Sequence, residues 1–149
     1  MTPPRAPAGN PLLVALDTAD ADAARALAER VAGHVGGVKL GLAFFTANGP
    51  AGVAAVAATG VPVFLDLKFH DIPATMAGAV RSAAGLGAFM LTLHTSAGPD
   101  ALVAAREAAD EAARHGAARP RLVGVTVLTS LDDDGLAAVG VSDGTEQQV

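Results

Sequence analysis

Short apolar runs alternate along this chain with longer stretches that are rich in alanine. Short apolar runs bounded by Gly, Pro or Asp are typical of buried strands, whereas alanine-rich stretches of about a dozen residues favour helices. We therefore predict five strands, at residues 12–17, 37–41, 61–65, 88–94 and 122–128. Because helical stretches separate the strands, the sheet is predicted to be mostly parallel and flanked by helices.

Helices are predicted between and after these strands, at residues 21–32, 51–58, 73–84, 99–115 and 133–139. Their ends carry recognisable signals. Asp20 can cap the first helix, and Gly116 is a typical helix stop. Pro73 suits a helix start, where its missing N–H costs little. Pro50 is expected to interrupt the helical region that precedes residue 51.

The composition fits one globular domain of 149 residues, of which 51% are hydrophobic and 17% charged. Residues 1–11 are rich in proline and are expected to form a flexible lead-in, followed by the domain at residues 12–149. The net charge is −5 without a basic stripe, which argues against nucleic acid or an anionic membrane as a partner. No stretch resembles a membrane span or a signal peptide, so we expect a cytoplasmic protein. The absence of cysteine excludes disulfides and thiolate catalysis.

Polar residues recur at the predicted carboxyl ends of all five strands: Asp17, Lys39, Asp66 with Lys68, His94 and Thr129. A doubly wound sheet concentrates its site near one switch point, whereas a closed barrel gathers all its strand ends into one ring. The pattern therefore favours an α/β fold of the (β/α)8 TIM-barrel type, although length alone favours the doubly wound sheet. Because a whole barrel needs at least about 200 residues, we expect only about the first five βα units in this chain.

The strongest candidate for chemistry is the run Asp66-Leu67-Lys68-Phe69-His70-Asp71-Ile72-Pro73. Alternate residues of a strand share a face, so Asp66 and Lys68 are expected to point into the same space, with Asp71 in the loop that follows. A buried ammonium beside a carboxylate is a candidate functional site, because its proton affinities are perturbed. A structural ion pair at a strand end is the alternative interpretation.

A metal site is a further interpretation of this region, because His70 and His94 accompany Asp66 and Asp71. Lys68 lies among them and would repel a cation, and no histidine spacing typical of zinc is present. We therefore predict that none of these residues is a metal ligand.

Four stretches carry a family resemblance: Val14-Ala15-Leu16-Asp17, Val38-Lys39-Leu40-Gly41, Phe64-Leu65-Asp66-Leu67-Lys68-Phe69-His70-Asp71-Ile72-Pro73 and Val125-Thr126-Val127-Leu128-Thr129-Ser130. From about residue 12 onward they resemble the orotidine 5′-phosphate decarboxylases. The Asp-x-Lys-x-x-Asp core is shared with sugar-phosphate enzymes of the same superfamily. The accompanying Phe-His-Asp-Ile-Pro and Val-Leu-Thr-Ser sequences are similar to the decarboxylases themselves.

The resemblance implies a homodimeric (β/α)8 barrel that converts orotidine 5′-phosphate to uridine 5′-phosphate and carbon dioxide, the last step of de novo UMP synthesis, without a cofactor or metal. Lys68 then matches the proton donor, and Asp66 matches the carboxylate beside the departing carboxylate of the substrate. Lys39 and Asp71 complete an alternating charge network, in which Asp71 reaches the partner subunit's site. The remaining matches are ribose contacts at Asp17 and Lys39, partner-subunit contacts at Ile72 and Thr75, and a pyrimidine contact at Thr129.

The phosphate-binding loop of the family, with its late arginine and glutamine, follows strands six to eight, for which this chain has no counterpart. The chain therefore resembles a decarboxylase that lacks its C-terminal third. Two alternatives stay open. One is a magnesium-dependent sugar-phosphate decarboxylase or aldolase of the same superfamily, and the other is a catalytically inactive truncated remnant.

Overall fold

The computed structural model describes residues 10–149, in which five strands alternate with helices. The strands are β1 Leu13–Ala15, β2 Gly37–Gly41, β3 Val63–Phe69, β4 Met90–His94 and β5 Arg121–Val125. The helices are α1 Ala21–Val31, α2 Leu42–Ala57, α3 Pro73–Gly85, α4 Pro99–Arg114, α5 Asp133–Ala138 and α6 Thr145–Gln148, with a 3-10 turn at Thr95–Ala97. All five predicted strands are present, whereas α6 and the 3-10 turn were not predicted.

The strand order distinguishes the two predicted architectures. The sheet runs β1-β2-β3-β4-β5, and each strand pairs in parallel with the next one along the chain. A doubly wound sheet reverses its strand order at a switch point, and no reversal occurs among the described strands. Sequential order is the arrangement of a (β/α)8 barrel, so the prediction of about five consecutive βα units of a barrel is confirmed.

The two faces of the sheet differ in chemistry, because side chains alternate across a strand. One face packs against the helices, and its positions are apolar and buried: Val38, Leu40, Val63, Leu65, Leu67, Leu91 and Leu93. The intervening positions lie on the other face and carry Lys39 in β2, Asp66 and Lys68 in β3, and Thr92 and His94 in β4. The polar residues of three neighbouring strands therefore share one surface of the sheet.

Local sequence signals set the helix ends. Asp20 caps α1, where its carboxylate accepts hydrogen bonds from the N–H groups of Asp22 at 2.9 Å and Ala23 at 3.0 Å. Pro73 lies in the first turn of α3, as predicted. The predicted interruption at Pro50 is confirmed, because α2 is kinked at the preceding residue, Gly49, whose φ of 57° suits glycine.

Three strands end at a residue other than the predicted one, and the starts of four strands differ by one or two residues. Strand β1 ends at Ala15, although the next N–H group, that of Leu16, still donates to the Lys39 carbonyl at 3.0 Å. Strand β3 continues to Phe69 instead of ending at residue 65, because its pairing with β4 resumes after a bulge. Strand β5 ends at Val125 instead of residue 128, because its partner β4 ends opposite that residue.

Asn10 and Pro11 are the only part of the predicted lead-in that the structure describes. Two hydrogen bonds hold the Asn10 side chain: Nδ2 donates to the His34 carbonyl and Oδ1 accepts from the Leu12 N–H, both at 3.0 Å. The flexibility predicted for residues 1–9 falls outside the described residues. Among the helices that the structure describes, none is long and apolar enough to cross a membrane.

Candidate active site

Asp66 is the centre of a charged cluster on the face of the sheet that points away from the helices. Lys68 Nζ lies 2.8 Å from Asp66 Oδ1, and Lys39 Nζ lies 3.1 Å from Asp66 Oδ2. Each oxygen of the carboxylate therefore has its own ammonium partner. The chain contains only two lysines, and both bind this one carboxylate.

The environment of Asp66 favours its ionised form. The side chain is only 12% exposed, and this burial by itself raises the carboxyl pKa. Hydrogen bonds from Lys68, Lys39 and Thr92 outweigh burial, so the net effect is a pKa below the ordinary value of 3.8. Two ammonium groups and one carboxylate leave the cluster with one excess positive charge, which favours an anionic ligand.

The backbone of Lys68 is unusual. Its φ is 50°, and within residues 10–149 no other non-glycine residue has a positive φ. Such a conformation costs about 1–3 kcal/mol and is characteristic of functional sites. The cause is a bulge: Leu65 pairs with Leu91 and Phe69 with Leu93, so four residue steps of β3 lie opposite two steps of β4. Bulges redirect side chains, and this one sets the direction of the lysine.

Thr92, which no sequence motif singles out, also binds the cluster. Its hydroxyl donates to Asp66 Oδ1 at 2.9 Å and accepts from the Lys68 N–H at 2.9 Å. Thr92 is 5% exposed and is the only buried polar residue in the part of the chain that the structure describes. The signal that could have revealed it is a single hydroxyl between two leucines, on a strand next to the charged one.

Asp71, Ile72 and Thr75 lie outside this cluster. They occupy the loop after β3 and the first turn of α3, and all three are exposed. Asp71 Oδ1 accepts a hydrogen bond from the Ile72 N–H at 2.7 Å. The Asp71 carboxylate forms no ion pair with any residue between 10 and 149. Among residues 10–149, the alternating charge network therefore consists of Lys39, Asp66 and Lys68 alone.

Asp17 and Thr129 lie farther along the loops that follow β1 and β5. Asp17 is exposed and comes directly after Leu16, which is hydrogen-bonded to the strand that carries Lys39. Thr129 is exposed in the turn between β5 and α5, so the prediction that it lies at the strand end is wrong. It lines an open groove with Asp132 and Thr145, and Asp66 is not part of that groove.

Two histidines lie near Lys68. The ring centroids of His70 and His94 are 5.3 Å apart, and Ser96 Oγ lies 3.5 Å from His70 Nε2. Burial lowers the pKa of His94 below its ordinary value of 6.5, and the charges of His70 and Lys68 lower it further. Across residues 10–149, no three His, Asp or Glu side chains are grouped in a way that could hold a metal ion.

Known proteins are similar to this chain in sequence. A model of the orotidine 5′-phosphate decarboxylase / HUMPS family matches residues 10–149. The chain is 56% identical over 132 residues to the orotidine 5′-phosphate decarboxylase of Paramagnetospirillum magneticum, a match that covers 88% of this chain and 56% of that protein. It is 51% identical over 142 residues to the enzyme of the same name from Rhodospirillum rubrum, covering 94% of this chain and 58% of that protein.

A solved structure agrees with these sequence matches. The crystal structure of orotidine 5′-phosphate decarboxylase from Lactobacillus acidophilus is similar with a TM-score of 0.83 and 30% identity, over 94% of this chain and 63% of that chain. The chain therefore spans somewhat more than half the length of these relatives. From the family match over residues 10–149 and these identities, the chain belongs to the orotidine 5′-phosphate decarboxylase / HUMPS family.

Proposed function

We propose that this protein decarboxylates orotidine 5′-phosphate to uridine 5′-phosphate and carbon dioxide, the last step of de novo UMP synthesis. The observation that carries the proposal is a single carboxylate, Asp66, bound on its two oxygens by Lys68 and Lys39. Relatives that are 56% and 51% identical to this chain, both named orotidine 5′-phosphate decarboxylase, support it.

The reaction needs electrostatic stabilisation and a proton. When the bond between C6 of the pyrimidine and its carboxylate breaks, the electron pair stays on C6 in an sp² orbital, where it cannot delocalise into the ring. A fixed ammonium stabilises this charge and then transfers a proton to C6 as a general acid. We assign both steps to Lys68, whose neutral amine afterwards regains a proton from solvent.

Asp66 and Lys39 prepare Lys68 for these steps. Asp66 orients the lysine ammonium through the 2.8 Å contact, and its own charge near the substrate carboxylate raises the free energy of the bound substrate. Lys39 balances the second oxygen of Asp66, so the carboxylate is compensated on both sides. Lys39 lies within β2 and Asp17 follows the neighbouring parallel strand β1, and both are assigned to the ribose of the substrate.

Asp71, Ile72 and Thr75 are assigned to the site of a second subunit in a homodimer. Their exposure at the start of α3 supports this role, as does the lack of a cation beside Asp71 among residues 10–149. In a shared site, the Asp71 carboxylate extends the alternation of charges beyond Lys68 across the interface. Ile72 is 65% exposed, and an apolar side chain of this kind suits a contact that a partner subunit covers.

The proposed function also covers Thr129, the cofactor and the cellular location. Thr129 is kept as a contact to the pyrimidine, because it follows β5 at the same end of the sheet as Asp17 and Asp71. No cofactor is assigned, since Lys68 supplies both the charge and the proton.

A phosphorylated nucleoside carries charges that make unaided membrane passage costly, so we place the reaction in the cytoplasm.

A magnesium-dependent sugar-phosphate decarboxylase or aldolase of the same superfamily is the second candidate function. The feature that favours it is the shared core of Asp66, Lys68 and Asp71 at the spacing Asp-x-Lys-x-x-Asp. Against it, both oxygens of Asp66 already accept hydrogen bonds from lysine side chains. The charged cluster is also intact, which argues against a degenerate, inactive remnant.

The test is the loss of orotidine 5′-phosphate absorbance in the presence of excess chelator. Two proteins are compared: this chain, and this chain joined to the remaining C-terminal part of the Paramagnetospirillum magneticum relative. We expect chelator-insensitive decarboxylation by the joined protein, and its loss when Lys68→Ala is introduced. Turnover of a sugar phosphate that requires magnesium would favour the second candidate, and no turnover of either substrate would favour the remnant.

A further inference from the structure

Lys68 sits in a bulge whose backbone hydrogen bonds cannot all be made by the neighbouring strand. Four residue steps of β3 face only two steps of β4 between the pairs Leu65–Leu91 and Phe69–Leu93. A bulge leaves extra residues without partners in the ladder, and buried N–H groups need an acceptor. The residue of β4 that lies between the two pairs is Thr92, and its hydroxyl accepts the Lys68 N–H at 2.9 Å.

The same hydroxyl closes a ring of hydrogen bonds. Thr92 Oγ1 donates its proton to Asp66 Oδ1 at 2.9 Å, and that oxygen also accepts from Lys68 Nζ at 2.8 Å. Lys68 is therefore connected to one carboxylate oxygen twice: directly through its ammonium, and through Thr92 from its own backbone N–H. A hydroxyl offers one donor and two acceptor lone pairs, so a single threonine can make both contacts.

We infer that Thr92 is a positioning residue, which locks the Lys68 bulge and the Asp66 carboxylate together so that the lysine ammonium is aimed at the reacting carbon. The inference rests on the proposed function for its catalytic consequence. The left-handed backbone of Lys68, with φ of 50°, needs surrounding contacts to hold it, because a non-glycine residue does not favour that conformation. Thr92 supplies such a contact at the N–H group of this residue.

The competing interpretation is that Thr92 only fills space in the sheet. It is 5% exposed and lies between Leu91 and Leu93, so its volume matters to packing in either case. Valine has nearly the same shape as threonine without the hydroxyl, and serine keeps the hydroxyl without the methyl group. Thr92→Val and Thr92→Ser therefore separate the hydrogen bonds from the packing.

Two spectroscopic measurements on this chain test the positioning directly. In Thr92→Val, the Lys68 amide should exchange with solvent about tenfold faster than in the unmodified chain, relative to the Leu65 and Leu91 amides as internal references. The Asp66 carboxyl pKa, followed by ¹³C NMR, should rise, because the carboxylate loses one of its hydrogen bonds. Thr92→Ser should restore both values.

A control variant removes a threonine hydroxyl elsewhere. Thr59 precedes β3 at its opposite end, and its hydroxyl donates to the Val56 carbonyl at 2.7 Å. Thr59→Val should leave the Lys68 exchange ratio and the Asp66 pKa unchanged. If Thr92→Val does not fold, Thr92→Cys replaces it, because a thiol has a similar size and is a weak hydrogen-bonding group.

The catalytic consequence is measured in the joined protein that carries the decarboxylase assay. We expect Thr92→Val to lower kcat by about 10²-fold, the effect of a misplacement of about 1 Å, with little change in KM. Thr92→Ser should stay within about fivefold of the unsubstituted protein, since its hydroxyl keeps both hydrogen bonds.

The outcomes distinguish the positioning role of Thr92 from the proposed decarboxylase function. Unchanged Lys68 exchange and Asp66 titration in Thr92→Val would overturn the inference, and so would changed spectra with unchanged kcat. Altered spectra in Thr92→Val, rescued in Thr92→Ser, would support the positioning role even if the joined protein showed no decarboxylation, and that failure would count against the proposed function alone.

Discussion

Lys68 Nζ lies 2.8 Å from Asp66 Oδ1, and the two residues are two positions apart on the same strand. Alternate residues of a strand share a face, so this pair is set by local geometry. The bulge at Lys68 adds a left-handed backbone conformation, with φ of 50°, that a regular strand does not contain. The pair therefore combines a contact that the strand provides with a direction that only the bulge provides.

Replacing Lys68 by alanine should abolish decarboxylation and leave folding and assembly intact, because the role of this side chain is chemical. We expect turnover in the joined protein to fall by at least about 10³-fold, since both the fixed charge and the proton are lost. The measurement is substrate absorbance together with size-exclusion chromatography. Arg25→Ala, which removes an exposed cation of α1, is the control and should keep its turnover. Retention of most turnover by Lys68→Ala would refute the assignment.

Mixed dimers should reveal whether Asp71 serves its own subunit or the partner. Lys68→Ala and Asp71→Ala chains are each expected to be inactive when alone. A mixed dimer of a shared-site enzyme contains one intact centre, so an equal mixture should recover about a quarter of the unsubstituted activity. The assay uses two affinity tags to verify that mixed dimers have formed. No recovery in verified mixed dimers would show that Asp71 acts within its own subunit.

Replacing Asp66 by asparagine should destabilise the fold, because two ammonium groups lose their shared counter-charge. Removing one partner of a buried ion pair costs about 3–5 kcal/mol, but the lysine side chains are 27% and 38% exposed here. We therefore expect a loss of about 1–3 kcal/mol in urea unfolding. Glu29→Gln removes an exposed partner of Arg25 and should change stability by less than about 1 kcal/mol. Equal effects for the two variants would contradict the central role of Asp66.

The stabilising effect of Asp66 should disappear in acid. Its pKa is lowered in the folded chain, so the ionised carboxylate contributes fully above the unfolded-state pKa of about 3.9. The contribution is then lost as the pH falls through the folded-state pKa. The difference in unfolding free energy between the unsubstituted chain and Asp66→Asn should be constant near pH 5 and shrink below about pH 3.9. A difference that stays the same down to pH 2 would rule out this linkage.

Gly37 should not tolerate a side chain. A Cβ at this position would lie 2.8 Å from the Pro62 carbonyl oxygen and 3.0 Å from the Phe89 ring. Backbone atoms cannot move aside without disturbing the pairing of β2 with β3, so Gly37→Ala should cost about 1–3 kcal/mol in urea unfolding. Gly78→Ala is the matched control, because it lies in α3 with nothing within 4 Å and should stabilise by about 0.5–1 kcal/mol. Similar effects at both positions would disprove the steric explanation.

Much of the fold follows from short-range patterns. The apolar runs placed all five strands, and Asp20, Pro73 and Gly116 marked helix ends that the structure confirms. The errors lie at strand ends, where β3 continues to Phe69 and β5 stops at Val125. A strand ends where the neighbouring strand no longer provides hydrogen-bond partners. Its end therefore depends on a distant segment of the chain and not only on its own residues.

The sequence alone determined the alternation of strands and helices, and the presence of Asp66, Lys68 and Asp71 in one short segment. Periodicity and spacing are local properties, so they can be seen along a single chain. Tertiary structure decided which distant residues complete the site. Lys39 and Thr92 lie 27 and 26 positions from Asp66, and they reach its carboxylate only because β2 and β4 pair with β3 on its two sides. The bulge at Lys68 is likewise a property of how β3 pairs with β4, since a bulge is defined by the register between two strands.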